Sequence, residues 1–182
     1  MNVFVLCTGR CASMTFARAA AHLTNYTAGH ESRAGRLGPD RVAFPANHVE
    51  VDNRLTWFLG RLEAAYPFGF AFYVHLRRDR EETARSFLAR YDSGIIGAYR
   101  RSVLMGLPED AEPIEVCRDY VDTATAQIEH FLRNKFRMQM EVRVDTAKED
   151  FAAFWARIKG QGDLAGALHE WDVRHNAGPG EG

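Results

Sequence analysis

The chain has 182 residues, a formal net charge of −1, and 46% hydrophobic against 26% charged residues. This length and composition predict one domain with a real hydrophobic core, and the near-neutral charge argues against a protein that coats nucleic acid. No stretch approaches the roughly 18 apolar residues of a membrane span.

The first third of the chain alternates strand and helix signals. The continuous apolar run at residues 2–7 predicts a buried parallel strand. From Ser13 onward, apolar residues recur at helical spacing, and a short strand is expected at residues 26–28. Residues 33–47 are rich in Gly, Pro and Arg and predict an irregular loop, and residues 54–66 again have the apolar spacing of a helix.

The remaining two thirds repeat the alternation. An apolar run predicts a strand at residues 70–76, and Asp79 with Glu82 forms a capping box that opens a helix running to about residue 91. Further elements are expected in chain order: a weaker helix at 95–105, a long amphipathic helix at 115–134, a strand at 138–144, and helices at 148–158 and 164–173. Strands that alternate with helices predict a three-layer α/β/α fold with a small, mostly parallel sheet.

The organisation predicted from these elements is a single α/β domain at residues 1–176 and a flexible tail at 177–182. The three cysteines, Cys7, Cys11 and Cys117, give no even disulfide framework. The apolar run at the start of the chain is too short for a signal peptide. A reducing, cytoplasmic compartment is therefore the expected location.

The sharpest local pattern is the segment CTGRCASMT at residues 7–15. A buried strand ends there, a loop of small residues follows, and a helix begins. Amides of such a loop and of the helix amino end point to one spot, which makes an anion site. Arg10 adds positive charge, and Ser13 and Thr15 add hydroxyl donors. An ordinary tight turn with a capping serine would have the same pattern.

Three other phosphate or metal chemistries fit this segment poorly. A Walker A loop needs a Gly-Lys pair, and no lysine precedes Lys135. A tyrosine-phosphatase loop needs an arginine six residues after its nucleophilic cysteine, but Ser13 follows Cys7 at that spacing and Ala17 follows Cys11. A metal site at the two cysteines would lack a second pair of ligands.

The segment resembles the 5′-phosphosulfate-binding loop of sulfotransferases that use 3′-phosphoadenosine 5′-phosphosulfate (PAPS). That loop is often written T-G-R-C-G-S-[ST]-x-[LM]. Ala12 stands here in place of a glycine, and Met14 in place of a common hydroxyl residue. The resemblance implies a donor-binding loop formed by Thr8, Gly9, Arg10, Cys11, Ala12, Ser13, Met14 and Thr15.

A second motif follows the strand predicted at residues 70–76. The same family binds the 3′-phosphate of PAPS with an arginine at a strand end and a serine eight residues later, and Arg78 and Ser86 have this spacing. Arginine offers a two-pronged, charge-assisted contact to phosphate. Without the resemblance, the arginines of this segment would also fit a solvated helix face paired with Glu81 and Glu82.

The resemblance implies a P-loop-NTPase-like sulfotransferase fold and transfer of a sulfuryl group from PAPS, with no metal, to a hydroxyl or amine. The acceptor is open, and a small molecule or a carbohydrate is expected. Arg10 is the candidate that neutralises the leaving phosphate. Family members use a glutamate or a histidine as the base, and Glu31, His48 and His30 are the candidates, in that order.

Two rival functions stay open at this point. One is a P-loop nucleotide-binding protein or atypical kinase, which would need Mg-nucleotide and ignore a 3′-phosphate. The other is a non-catalytic binding protein with a sulfotransferase fold. Residues 160–163 (GQGD) resemble an adenosine-contacting loop of cytosolic sulfotransferases, but a turn with a helix cap is the preferred interpretation.

Overall fold

A five-stranded sheet organises the part of the chain that the computed structural model describes, which comprises residues 1–67, 69–108, 110–135 and 138–173. Its strands are β1 (Asn2–Leu6), β2 (Thr27–His30), β3 (His48–Val51), β4 (Ala71–Arg77) and β5 (Gln139–Arg143). The spatial order is β2-β3-β1-β4-β5, and all neighbours pair in parallel. The carboxyl ends of all strands therefore lie at one edge, where the loops that follow them meet.

The two central strands are buried on both faces. All five residues of β1 are buried, and so are the first six of β4. This burial explains why both appear in the sequence as continuous apolar runs rather than as an alternating pattern. The prediction of a three-layer α/β fold with a mostly parallel sheet is confirmed.

Strand β3 is the strand that the sequence pattern did not predict. Its Val49 and Val51 belong to the core on one face of the sheet, while His48 and Glu50 are buried on the other. These two polar residues interrupt the continuous apolar run that predicts a strand buried on both faces, so the sequence pattern indicated no strand here. No element is predicted from the sequence at residues 48–53.

Seven helices lie in the described ranges: α1 (Ser13–Ala20), α2 (Leu59–Ala65), α3 (Arg80–Leu88), α4 (Gly94–Ala98), α5 (Pro113–Leu132), α6 (Ala147–Arg157) and α7 (Leu164–His169). Helices α1, α6 and α7 cover one face of the sheet with Phe16, Phe151 and Phe154. Helices α2 and α5 cover the other face. Helices α3, α4 and α5 pack together around a third apolar cluster.

Several predicted helices are shorter or split. The helix expected at residues 54–66 begins as a 3-10 helix, Asn53–Phe58, whose first turn is capped by the Asp52 carboxylate, and only then becomes α2. The weak helix expected at 95–105 is α4 followed by a π-helical turn, Tyr99–Val103. Asp79 caps α3 as predicted, with its Oδ1 accepting from the Glu82 amide at 2.9 Å. The tail predicted at 177–182 lies outside the described residues.

Candidate active site

The β1–α1 loop (residues 7–12) has an unusual backbone. Gly9, Arg10 and Ala12 have φ values of 86°, 57° and 62°, which lie in the left-handed region. Gly9 also lies close to Asn53, since a Cβ at position 9 would be 2.9 Å from the Asn53 Nδ2. Ala12 adopts a conformation that favours glycine, which stands at this position in the phosphosulfate loop.

Two elements on the α5 side of the sheet hold this loop. The Thr8 carbonyl accepts hydrogen bonds from the Tyr120 hydroxyl at 2.8 Å and from the Asn53 amide at 3.4 Å. The Cys7 carbonyl accepts from the Thr56 hydroxyl at 3.4 Å. Local sequence patterns did not identify Asn53 and Tyr120 as residues that hold the loop, because both are distant from Thr8 in the sequence.

The loop cysteines face the interior. Cys7 and Cys11 have no exposed surface. The interaction between the two thiols raises the pKa of Cys7 and lowers the pKa of Cys11. With its side chain turned inward, Cys11 can offer a ligand only its backbone amide.

The two sequence motifs meet at the carboxyl edge of the sheet. The Arg10 Nε donates to the Ser86 Oγ at 2.9 Å, although the two residues are far apart in the chain. The Arg78 guanidinium donates to the Arg10 carbonyl at 3.3 Å and pairs with the Glu82 carboxylate at 2.9 Å. The structure thus joins the β1–α1 loop to the Arg78 motif in one polar cluster.

The amino end of α1 faces the same edge. The residue before the helix is Ala12, and no side chain caps the first turn. The amides of that turn therefore have no intrahelical or side-chain acceptor, which is the arrangement that binds anions at helix ends. Ser13 and Met14 are half-buried beside it, whereas the Thr15 side chain is buried.

Two of the candidate bases lie beside α1. His30, the last residue of β2, has its Nε2 at 3.0 Å from the Ser13 Oγ. The neighbouring Glu31 has a left-handed φ of 50° and forms an ion pair with Arg54. His30 is thus the candidate base in direct contact with the helix end, and Glu31 is engaged by a cation next to it.

The third candidate base, His48, lies elsewhere. It is the first residue of β3 and pairs with Thr27, the first residue of β2, so it sits at the amino edge of the sheet. Its Nδ1 lies 2.8 Å from the Thr27 hydroxyl, and its Nε2 lies 2.9 Å from the buried carboxylate of Glu50. The structure does not bring His48 together with the β1–α1 loop.

A polar cavity of ≈ 330 Å³ opens beside the motif cluster. It lies against the carboxyl ends of β4 and β5, and its lining includes both Thr8 and Arg78. His75, which is 6% exposed, and Arg143 also line it. The cavity therefore adjoins both sequence motifs at the edge where their side chains meet.

The GQGD turn lies at the other end of α1. Gly162 pairs with Leu23, and Asp163 caps α7 by accepting from the Gly166 amide at 2.9 Å. The interpretation as a turn with a helix cap is confirmed. In the ranges that the structure describes, no group of three or more His, Cys, Asp or Glu side chains is arranged to hold a metal ion. None of the described helices is long and apolar enough to cross a membrane.

Comparisons with known proteins give one structural likeness. No protein-family model and no curated sequence matches the chain. Its fold is similar to that of a solved sulfotransferase domain from the curacin biosynthetic pathway, with a TM-score of 0.65 and 12% sequence identity over 95% of this chain and 78% of that chain. The chain therefore has a sulfotransferase-like α/β fold.

Proposed function

We propose that the chain transfers a sulfuryl group from PAPS to a hydroxyl or amine of a small-molecule or carbohydrate acceptor. One observation carries the proposal: the Arg10 side chain contacts Ser86, and Arg78 contacts the Arg10 carbonyl. Two motifs that resemble the halves of a PAPS site thus form one cluster. The likeness to the curacin sulfotransferase domain supports the same class of reaction.

The residues around the β1–α1 loop fit the two anionic ends of such a donor. The uncapped amino end of α1, with the Ser13 hydroxyl, suits the 5′-phosphosulfate. Arg78 and Ser86 suit the 3′-phosphate, because a guanidinium and a hydroxyl both donate to phosphate oxygens. Arg10 lies between these groups and would exchange its hydrogen bond to Ser86 for contacts to the donor.

Arg10 and the helix end also suit the chemistry. The bound donor would supply an activated sulfuryl group whose departure leaves negative charge on a phosphate oxygen. A guanidinium and uncapped helix amides stabilise such charge when they are aimed at it in advance. No metal is required for this role.

His30 is the residue that we assign as the base. Its imidazole contacts Ser13 at the helix end, where the sulfuryl group would lie, and histidine is suited to proton transfer near neutral pH. Glu31 is the second choice, since its ion pair with Arg54 restrains its position. We assign no catalytic role to His48, which lies at the opposite edge of the sheet.

The acceptor would approach from the side of β2 and β3. The carboxyl ends of these strands carry Glu31 and Arg54, an ion pair whose two side chains are 30% and 34% exposed. A partly exposed pair of opposite charges beside the base can hydrogen-bond a polar acceptor. A hydroxylated small molecule or a carbohydrate is the class that this surface suits best.

The experiment that tests the proposal is calorimetric titration with adenosine 3′,5′-bisphosphate, the spent donor. Arg78→Ala should lower the affinity at least tenfold, since a charge-assisted contact to phosphate is lost. Arg85→Ala is the matched control, because Arg85 is an exposed arginine of α3, the helix that follows Arg78. Equal affinities of wild type and Arg78→Ala would refute the 3′-phosphate assignment.

A second measurement separates the proposal from its rivals. With PAPS and a panel of hydroxylated acceptors, the wild type should release adenosine 3′,5′-bisphosphate in an acceptor-dependent way and without added magnesium. Binding of ADP that requires magnesium and gains nothing from a 3′-phosphate would favour the atypical kinase instead. Binding of adenosine 3′,5′-bisphosphate with no turnover on any acceptor class would favour a non-catalytic binding protein.

A further inference from the structure

The polar cavity beside the motif cluster contains a histidine that the proposed reaction does not use. His75 lies in β4 and is 6% exposed, yet its side chain lines the ≈ 330 Å³ cavity. Arg78 lines the same cavity, and so does Thr8 of the β1–α1 loop. A group bound between the two motifs would therefore be within the cavity that His75 borders.

His75 has no hydrogen-bond partner among the residues that the structure describes. Burial, together with the nearby Arg77 charge, lowers the pKa of His75 to about 4. The imidazole is therefore neutral at physiological pH, with one N–H donor and one nitrogen acceptor. An imidazole that lines a cavity and has no protein partner among the described residues can hydrogen-bond a ligand that enters the cavity.

Each of the four arginines that line the cavity has a carboxylate partner. Ion pairs join Arg77 to Glu141, Arg78 to Glu82, Arg80 to Asp122 and Arg143 to Asp145. These cations suit an anionic ligand group, whereas the neutral imidazole of His75 suits an uncharged ligand atom. A hydroxyl is the matching group because it can donate to one imidazole nitrogen or accept from the other.

The proposed donor carries such a hydroxyl next to its 3′-phosphate. If Arg78 holds the 3′-phosphate, the neighbouring ribose carbon brings its 2′-hydroxyl to the cavity that Arg78 and His75 share. We propose that His75 hydrogen-bonds the ribose 2′-hydroxyl of the donor and selects ribonucleotide over deoxyribonucleotide donors. This inference rests on the proposed function and adds a positioning residue to it.

The experiment compares two ligands on four proteins. Adenosine 3′,5′-bisphosphate and its 2′-deoxy analogue are titrated into wild type, His75→Leu, His75→Gln and the control Thr125→Val, which alters another lining residue of the same cavity. Wild type and Thr125→Val should bind the deoxy analogue about fivefold more weakly, the size of one neutral hydrogen bond. His75→Leu should bind both ligands alike, and His75→Gln should recover part of the preference.

Each outcome bears on a distinct claim. No preference in the wild type, or an undiminished preference in His75→Leu, overturns the inference while leaving the proposed function intact. A wild type that binds neither ligand overturns the proposed function as well. If His75→Leu does not fold, nitrogen NMR of the wild-type imidazole decides: its ring signals should move with the bisphosphate and much less with the deoxy analogue, and equal movement would refute the inference.

Discussion

The buried ion pair between Arg41 and Asp52 gives a prediction whose size follows from the structure. The Arg41 guanidinium and the Asp52 carboxylate lie 2.6 Å apart, with side chains 2% and 0% exposed. Asp52 also accepts a hydrogen bond from the Arg54 amide at 2.7 Å, so it orients the residue that pairs with Glu31. Asp52→Asn preserves the shape and the acceptor but removes the charge that neutralises Arg41.

Removing one partner of a buried pair leaves an uncompensated charge, which typically costs about 3–5 kcal/mol. Asp52→Asn should therefore lower the free energy of unfolding by about 3 kcal/mol, measured by urea denaturation at neutral pH. The double variant Arg41→Met/Asp52→Asn is the control and should be more stable than the sum of the single effects predicts. A single variant that costs less than about 1 kcal/mol, or strictly additive effects, would refute the reasoning.

The same ion pair predicts how the stability of an Arg41 variant depends on pH. Burial raises the pKa of Asp52 in the folded chain even with Arg41 beside it. In Arg41→Met that pKa rises further, above the unfolded value of about 3.9. A group with a raised folded pKa stabilises the fold fully below its unfolded pKa and loses this contribution as the pH rises. Arg41→Met should therefore lose stability relative to wild type as the pH rises above about 4.

Three further predictions concern the site itself. In steady-state kinetics, His30→Gln should lower turnover at least about a hundredfold with little change in donor affinity. Glu31→Gln should lower turnover less. A larger loss of turnover in Glu31→Gln than in His30→Gln would make Glu31 the base. Tyr120→Phe removes the hydrogen bond to the Thr8 carbonyl and should lower the free energy of unfolding by about 1 kcal/mol in urea denaturation. An unchanged free energy of unfolding would show that this hydrogen bond does not stabilise the loop. The pKa of His75 is lowered to about 4, so between pH 7 and 5 the unfolded imidazole takes up a proton and the folded one does not. The free energy of unfolding of the wild type should therefore fall by about 2 kcal/mol over this range, and His75→Gln should lack this decrease.

Local patterns predicted the part of the site that adjacent residues form. The apolar run into the CTGRCAS loop predicted where β1 ends and α1 begins, and the Asp79 cap located the start of α3. Parallel strands gather their carboxyl ends at one edge, so a parallel sheet predicts that Arg10 and Arg78 lie at the same edge. The observed pairing of β1 with β4 makes them neighbours there. These inferences needed only spacing and topology.

The rest depended on contacts between distant segments. Whether His48 or His30 faces the loop is decided by the register of β2 and β3, and β3 was concealed by its two polar residues. The partners of Thr8 come from the 3-10 helix and from α5, which no local pattern relates to the loop. The cavity at His75 likewise exists only once β4 and α5 have packed.

The most direct test of the account is a calorimetric comparison of adenosine 3′,5′-bisphosphate with ADP on the wild-type chain. The two ligands differ in whether they carry a phosphate for Arg78 and Ser86. Preferred binding of the bisphosphate, with thermal stabilisation of about 2.7 kcal/mol at 100 times its Kd, is the result that the account predicts. Equal binding of the two ligands would contradict the account, because Arg78 and Ser86 would then contribute no recognition of a 3′-phosphate.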